Sequence, residues 1–597
     1  MRNPIQDYLE SLADHGHDAG GEVADYIPEL AAADPNRFAL CIATVDGHLY
    51  TVGDGDCAYS IQSISKPFTY ALALQDRGAA AVAQKIDVEP SGDAFNEISL
   101  DPRTNRPSNP MINAGAITAA SLVDGADNQE RFERVRRWYS AFADRQLSFD
   151  AQVYSSELST AHRNRAIAHM LREFEVLESD PEGALDQYIK QCAVKVTTED
   201  LAMMAATLAN GGVSPLSGER VAQATDVEHV LSVMTSCGMY DAAGDWITSV
   251  GVPAKSGVSG GIIGVLPGQL GLAVFSPRLD SHGHSARGVE VFERISDEME
   301  LHLMHVTRNS RTAVRDTYSL AERPSRRRRP EAQQRILDTL GERGRVYELQ
   351  GDLHFSGVES VVRRVIDDPP EFAVLDITDV NDVAEVARTT LLSIGERIRA
   401  DGGEAVLVDP AESLPLREGD PAGIRIMDDL EAAMRWCEDE LLRRHGDDEV
   451  EDSQVIPEHP LLQQMSPAAR RYMRDHFEVL HFEAGEVILE SGEAFAGIHI
   501  VTAGEAVAEF EYAHAEASTA VTMSVGTSFG ELALGQNDVQ EPLVRAATPV
   551  TLLKFSAEAL ERVSEVRPAI AVDIWKAMTR DAYRVADRAL HEAAAHW

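Results

Sequence analysis

Lysine is nearly absent from this 597-residue chain: only seven of its 54 basic residues are lysines. Acids outnumber bases 97 to 54, for a net charge of −43. A surface of that sign repels phosphate backbones and anionic lipids, so nucleic acid and membrane surfaces are excluded as expected partners. Cysteine is equally sparse. Cys41, Cys57, Cys192, Cys237 and Cys437 are odd in number, widely spaced and never in CxxC. That pattern indicates neither a disulfide framework nor a zinc site, and buried thiols are expected. No apolar run reaches about 18 residues, which excludes a helical membrane span. The first twenty residues lack the apolar core of a signal peptide, so a cytoplasmic location is expected.

What is present is punctuation. The length exceeds one core and suggests three or four domains at about 150 residues each. "ERPSRRRRPEAQQR", Glu322–Arg335, sets four arginines between two prolines and reads as an exposed linker. "RRHGDDEVEDSQVIPEHP", Arg443–Pro460, is acidic and ends in turn residues. The expected division is therefore 1–320, a linker at 321–340, then 341–450 and 455–597. In the first segment "FALCIATVDGHLYTVGD" is two β-rich runs joined by Asp46-Gly47, a hairpin signal. "GVPAKSGVSGGIIGVLPGQLGLAVFSP" reads as a second strand pair near its end, with helical stretches between. That is an α+β domain whose sheet is built from both ends of the segment. The second segment alternates strands and helices as a small α/β sandwich. The third has short strands spaced by Gly485, Gly492, Gly497 and Gly504 and closes on a helix, the pattern of a β-roll.

Two of the seven lysines carry the chemistry. "SIQSISKPF" places Lys66 one helical turn after Ser63. Pro67 is tolerated only in a first helical turn, which puts Ser63 near a helix N-terminus. The positive end of the helix dipole stabilises a developing alkoxide there. A desolvated lysine near other cations loses its proton readily and can act as a base. A serine with such a partner and an N–H oxyanion hole makes an acyl-transfer site. SxxK alone also arises by chance, with the lysine merely solvating a helix end. The second lysine, Lys255, opens "KSG" on a predicted strand, and active-serine hydrolases pair SxxK on a helix with K-T/S-G on a neighbouring strand.

The first segment closely resembles the serine-dependent glutaminases, a family with a β-lactamase/transpeptidase-like fold. The resemblance covers about residues 20–305. It rests on "YIPEL", "QSISKPF", "VEPSGDAFN", "NPMINAGAI", "VTTEDLAMMAATLANGG", "SCGMYD" and "PAKSGVSGG". It implies a homo-oligomeric amidohydrolase, a dimer or tetramer, that converts L-glutamine to L-glutamate and ammonia without a cofactor or metal. Ser63 would be the nucleophile, forming a γ-glutamyl ester, and Lys66 its general base. Tyr26 would line the site, and Gln62 would contact substrate. Asn113 and Glu157 would bind the α-carboxylate and α-ammonium ends, assisted by Asn164. Tyr188 and Tyr240 would crowd the reacting amide, with Tyr240 moving protons. The Val258 N–H would complete the oxyanion hole with that of Ser63.

The middle segment resembles a STAS domain through "FAVLDITDVNDVAEVARTTLLSIGERIRADGG". Switching members of that family carry a serine at the start of the helix. Here Asp382-Val383-Ala384-Glu385 stands instead, which favours docking or packing over phosphorylation. The third resembles a cyclic-nucleotide-binding domain. "FGELAL" and "RAAT" match its phosphate-binding cassette, with Glu531 for a ribose hydroxyl and Arg545 for the cyclic phosphate. The insert between them brings Glu541 near the arginine, so a β-roll kept for contact is the competing reading. For the whole chain the alternatives are a glutamine-sensing signalling scaffold and a β-lactam-reactive serine hydrolase.

Overall fold

The computed structural model describes residues 3–13, 19–92, 100–304, 313–414, 423–446, 459–510, 519–530, 533 and 542–594. The first unit is organised by a five-stranded antiparallel sheet. Its order is Leu49–Gly53, Ala39–Thr44, Leu270–Phe275, Gly261–Leu266, Ala254–Gly257. Opposite ends of the segment thus meet in its middle. The turn at Gly47, with φ +92°, joins the first two strands. Three strands, not the expected pair, lie between Ala254 and Phe275. Glycines in the left-handed region at Gly260 and Gly268 reverse the chain twice, φ +100° and +77°.

Both faces of this sheet are covered at its centre, so Ala39–Thr44, Gly261–Leu266 and Leu270–Phe275 are buried along their whole length. Cys41, Ala43, Ile263 and Ala273 face a helical core that includes the helix Thr198–Ala209. A Thr197/Asp200 capping box sets the start of that helix. It lies so close that a Cβ on Gly271 would fall 2.2 Å from the Ala206 nitrogen. The alternate residues Leu40, Ile42, Leu272 and Val274 face the other way. There they join one continuous core with the N-terminal helix Pro4–Ala13 and the middle unit.

The middle unit is a five-stranded sheet in the order Val314–Ser319, Gly344–Leu353, Phe372–Val383, Glu404–Val408, Ile424–Met427. The first pair is antiparallel and the rest parallel. Helices Phe355–Asp367 and Glu385–Ala400 face the first unit, while Glu331–Leu340 and Leu430–His445 cover the opposite face. Tyr50 donates to Glu359 Oε1 at 2.6 Å and Ser356 to Gln269 Oε1 at 2.8 Å across the joint.

The expected linker at 321–340 is not one. Its arginines find carboxylates and a free sheet edge, and these order it. Arg327–Arg328 pairs in parallel with Thr522–Met523 of the third unit, and Glu331–Leu340 is helical. The unit boundary also lies earlier than residue 320, because Val314–Ser319 is the edge strand of the middle sheet. That strand is partly exposed over Val314–Thr317 and buried at Tyr318 and Ser319.

The third unit has a four-stranded sheet and supplies four strands of a five-stranded one, whose fifth is Arg327–Arg328, and helices Ala557–Val566 and Pro568–Ala594 close it. All five cysteines are free. Four are buried as expected, and Cys57 is half-buried. Among the described residues no helix is long and apolar enough to cross a membrane, and no group of three His, Cys, Asp or Glu side chains could hold a metal.

Candidate active site

Ser63 sits in a short 3₁₀ turn, Gln62–Ile64, that runs directly into the helix Ser65–Arg77. Pro67 is the third residue of that helix, as its missing N–H requires. Gln62 is held at φ +52°, a left-handed conformation costing about 1–3 kcal/mol in a non-glycine residue. That bend presents Ser63, 7% exposed, where the helix begins.

Around it six elements bring their side chains together. Helix Asn113–Leu122 contributes Asn113 as its first residue. Its start is pressed against the preceding loop, since a Cβ on Gly115 would lie 2.0 Å from the Asn109 carbonyl oxygen. Glu157 comes from Ala151–Thr160, Asn164 from His162–Glu173, Tyr188 from Pro181–Cys192, and Tyr240 opens the turn Tyr240–Ala242. Lys255 stands on the edge strand Ala254–Gly257. A Cβ on Gly257 would approach the Ile61 carbonyl oxygen to 3.1 Å, so this edge packs against the Ser63 turn. Val258 follows directly, half-buried with Ile27, Leu30 and Val153.

The polar groups form two hydrogen-bonded sets. In one, Lys66 Nζ donates to Asn113 Oδ1 at 2.8 Å and the Tyr188 hydroxyl donates to the same oxygen at 3.1 Å. Asn113 Nδ2 in turn donates to Asn164 Oδ1 at 2.8 Å. In the other, Glu157 Oε1 accepts from the Tyr26 hydroxyl at 2.8 Å and from Gln62 Nε2 at 3.1 Å. Tyr26 is 46% exposed, with its hydroxyl bound to Glu157. Tyr240 joins the reactive centre: its hydroxyl is hydrogen-bonded to Ser63. Lys255 Nζ lies 3.8 Å and Lys66 Nζ 5.4 Å from its ring centroid.

Burial sets the charges. Enclosure pushes Lys66 down from 10.5 to about 7. Lys255, fully buried and near Lys66, is driven well below its ordinary value, and its Nζ donates to the Ser256 carbonyl at 2.7 Å. Burial raises the Glu157 carboxyl, while the bonds from Tyr26 and Gln62 hold it down. A serine beside a lysine that sheds its proton near neutrality can carry acyl transfer.

Hydrogen bonds and ring contacts bring Tyr26, Gln62, Ser63, Lys66, Asn113, Glu157, Asn164, Tyr188 and Tyr240 together, while Val258 adjoins them through its neighbour Gly257. Arg545 is elsewhere, half-buried on the third unit's strand Leu543–Ala546, and Glu531 lies outside the described residues. Sequence reading missed His284. It is 2% exposed, stacks on the Tyr240 ring at 6.0 Å and 13°, and burial lowers it to about 4. Its only signal is the "SHGHS" loop, Ser281–Ser285, which matches no catalytic spacing.

The site thus has the makings of an active-serine acyl-transfer centre. Residues 21–304 match the glutaminase family, and residues 479–566 match the cyclic nucleotide-binding domain. The chain is 38% identical over 586 residues to Glutaminase 2 of Bradyrhizobium diazoefficiens, covering 96% of this chain and 93% of that one. It is 46% identical over 417 residues to a glutaminase of Corynebacterium efficiens, covering 69% of this chain and 94% of that one. A crystal structure of Mglu in its glutamate form is similar at a TM-score of 0.51 and 41% identity, over 69% of this chain and 100% of that one. The chain belongs to the glutaminase family, a family of enzymes, and carries a C-terminal cyclic nucleotide-binding domain.

Proposed function

We propose that the chain hydrolyses L-glutamine to L-glutamate and ammonia through an ester on Ser63. The observation that carries this reading is the hydrogen bond between Tyr240 and Ser63 inside a cluster with two buried amines. Glu157 receives the α-ammonium of glutamine, and the amides of Asn113 and Asn164 serve its α-carboxylate. A wrong substrate leaves these buried groups unpaired, which is the source of selectivity. Ser63 Oγ attacks the side-chain amide carbon while its proton passes toward Lys66. The N–H groups of Ser63 and Val258 receive the oxyanion. The C–N bond then breaks as the Lys66/Tyr240 pair returns a proton to the leaving nitrogen. Water attacks the γ-glutamyl ester, its proton taken by the same pair, and glutamate leaves with Ser63 restored.

The middle unit, STAS-like in its sequence, acts in this reading as a packing body behind the catalytic sheet. The third supplies a cyclic-nucleotide site at Arg545. The test of the catalytic reading is ammonia release from L-glutamine. Ser63→Ala is expected to lose about 10³-fold or more in kcat. Mass spectrometry after incubation with a diazoketone mimic of glutamine should place one adduct on Ser63. Turnover retained by Ser63→Ala, or an adduct on another residue, overturns the reading.

A further inference from the structure

The loop Asp280–Ser285 touches the turn that presents Tyr240 on both of its sides. Tyr240 is itself strained, at φ +54°. A tyrosine holds such a conformation only where its surroundings over-determine it. The residue before it, Met239, offers its carbonyl oxygen to Ala242 N at 3.1 Å and to His284 Nε2 at 3.2 Å. The residue after it, Asp241, meets His282 Nδ1 at 3.2 Å. His284 Nδ1 lies 2.7 Å from Ser256 Oγ, and the carbonyl of Ser256 is the acceptor for Lys255 Nζ.

The bonding fixes the state of the ring. A carbonyl can only accept, so Nε2 carries the proton, and since burial keeps the ring neutral, Nδ1 accepts from the Ser256 hydroxyl. One neutral imidazole therefore ties the Tyr240 turn to the residue whose carbonyl orients Lys255. The loop is anchored in turn. Asp280 Oδ1 accepts from the backbone nitrogens of His282 and His284, both at 2.9 Å. Ser285 caps the following helix, accepting from Gly288 N at 3.2 Å and donating to the Ser276 carbonyl at 2.8 Å. The short strand Arg278–Leu279 that leads into the loop pairs with Glu22–Val23, just ahead of Tyr26.

We infer that His284 is a positioning residue for the glutaminase reaction, holding the Tyr240 hydroxyl on Ser63. The inference rests on the reading of Ser63 and Tyr240 given above. His284 touches neither substrate nor the reacting oxygen. Its work is to keep a left-handed tyrosine from relaxing, and misplacement of a reacting group by about 1 Å costs about 10²-fold.

The test uses the full chain and steady-state glutamine hydrolysis. His284→Phe keeps a stacking ring and loses both hydrogen bonds. Its kcat is expected to fall about 10²-fold with KM within about twofold of wild type. In a Tyr240→Phe background the same change should cost less than about threefold, because both substitutions act through one hydroxyl. His284→Gln carries its amide nitrogen where Nε2 stands, and His284→Asn where Nδ1 stands. Gln should therefore exceed Asn in kcat by at least about fivefold, a comparison that holds even where the Phe variant does not fold. An unchanged kcat in His284→Phe, an equal loss in the Tyr240→Phe background, or Asn matching Gln overturns the inference. Ser63→Ala and Tyr240→Phe are measured alongside. If Ser63→Ala stays active, or Tyr240→Phe keeps wild-type kcat, the underlying reading falls too. If both are impaired as expected and the His284 variants are not, only the positioning role falls.

Discussion

An amine enclosed as fully as that of Lys66 costs the fold free energy at every pH where the unfolded chain would hold a proton there. The folded protein releases that proton at about 7, the unfolded chain near 10.5. Between those values the unfolded state binds more protons, so stability rises with pH across the window and is lowest below about pH 7. Lys66→Met removes the charge and keeps the bulk. It should raise the midpoint of thermal unfolding at pH 7 by about 3 °C or more while abolishing ammonia release. Calorimetry of the two proteins checks the first, and an unchanged or lower midpoint refutes it. The same titration predicts an acid limb in the kcat/KM profile near pH 7, below which Lys66 is protonated and cannot act as base. At this scale the sequence was informative for residue types and silent on backbone. Ser63, Lys66 and Lys255 stand in motifs whose spacing carries chemistry. The left-handed conformations of Gln62 and Tyr240 leave no mark, because neither is glycine or asparagine. His284 was invisible because its contacts join Met239 and Ser256, segments that only the fold brings together.

Short elements were harder to read than long ones. Helices such as Glu385–Ala400 and the Asp46–Gly47 hairpin announce themselves by period and turn residues. The arginine run does not, since its partners are distant in sequence. Ser325 donates to Glu438 through both its backbone nitrogen and its hydroxyl at 2.6 Å, and Arg329 Nε donates to Glu438 Oε2 at 3.0 Å. The Arg329 and Glu438 side chains are each only 2% exposed. Arg327 reaches outward to Asp439 and Glu505. Arg329→Ala strands a carboxylate in a dry site, a loss of about 3–5 kcal/mol. Amide exchange in the helix Leu430–His445, which carries Glu438, is expected to accelerate by at least about 10²-fold. Restoring apolar packing with Arg329→Met and Glu438→Leu together should recover most of the protection. Wild-type exchange in the single variant would mean that the strap does not hold this helix. A charge run in an acidic chain is thus poor grounds for a linker, because ample carboxylates are available to order it.

Over the whole molecule the charge of −43 sets the terms on which an anionic nucleotide can bind. Arg545 supplies one local cation, on the face of its strand opposite the buried Val544 and Ala546. Fork-shaped pairing with a phosphate is short-range and only weakly screened. The repulsion from the rest of the surface is long-range, and a Debye length of about 10 Å at 0.1 M salt removes most of it. Affinity for cAMP or cGMP is therefore expected to rise between about 20 and 200 mM NaCl, opposite to the usual trend for a phosphate site. Titration calorimetry on the full chain reads this directly, and Arg545→Leu should abolish the signal at both salt concentrations. Binding that weakens with salt would show that local arginine contacts outweigh the field of the molecule. No heat with either nucleotide would leave the third unit as a packing partner, tied to the middle unit through the Arg327–Arg328 strand and the Arg435–Thr522 bond at 3.1 Å.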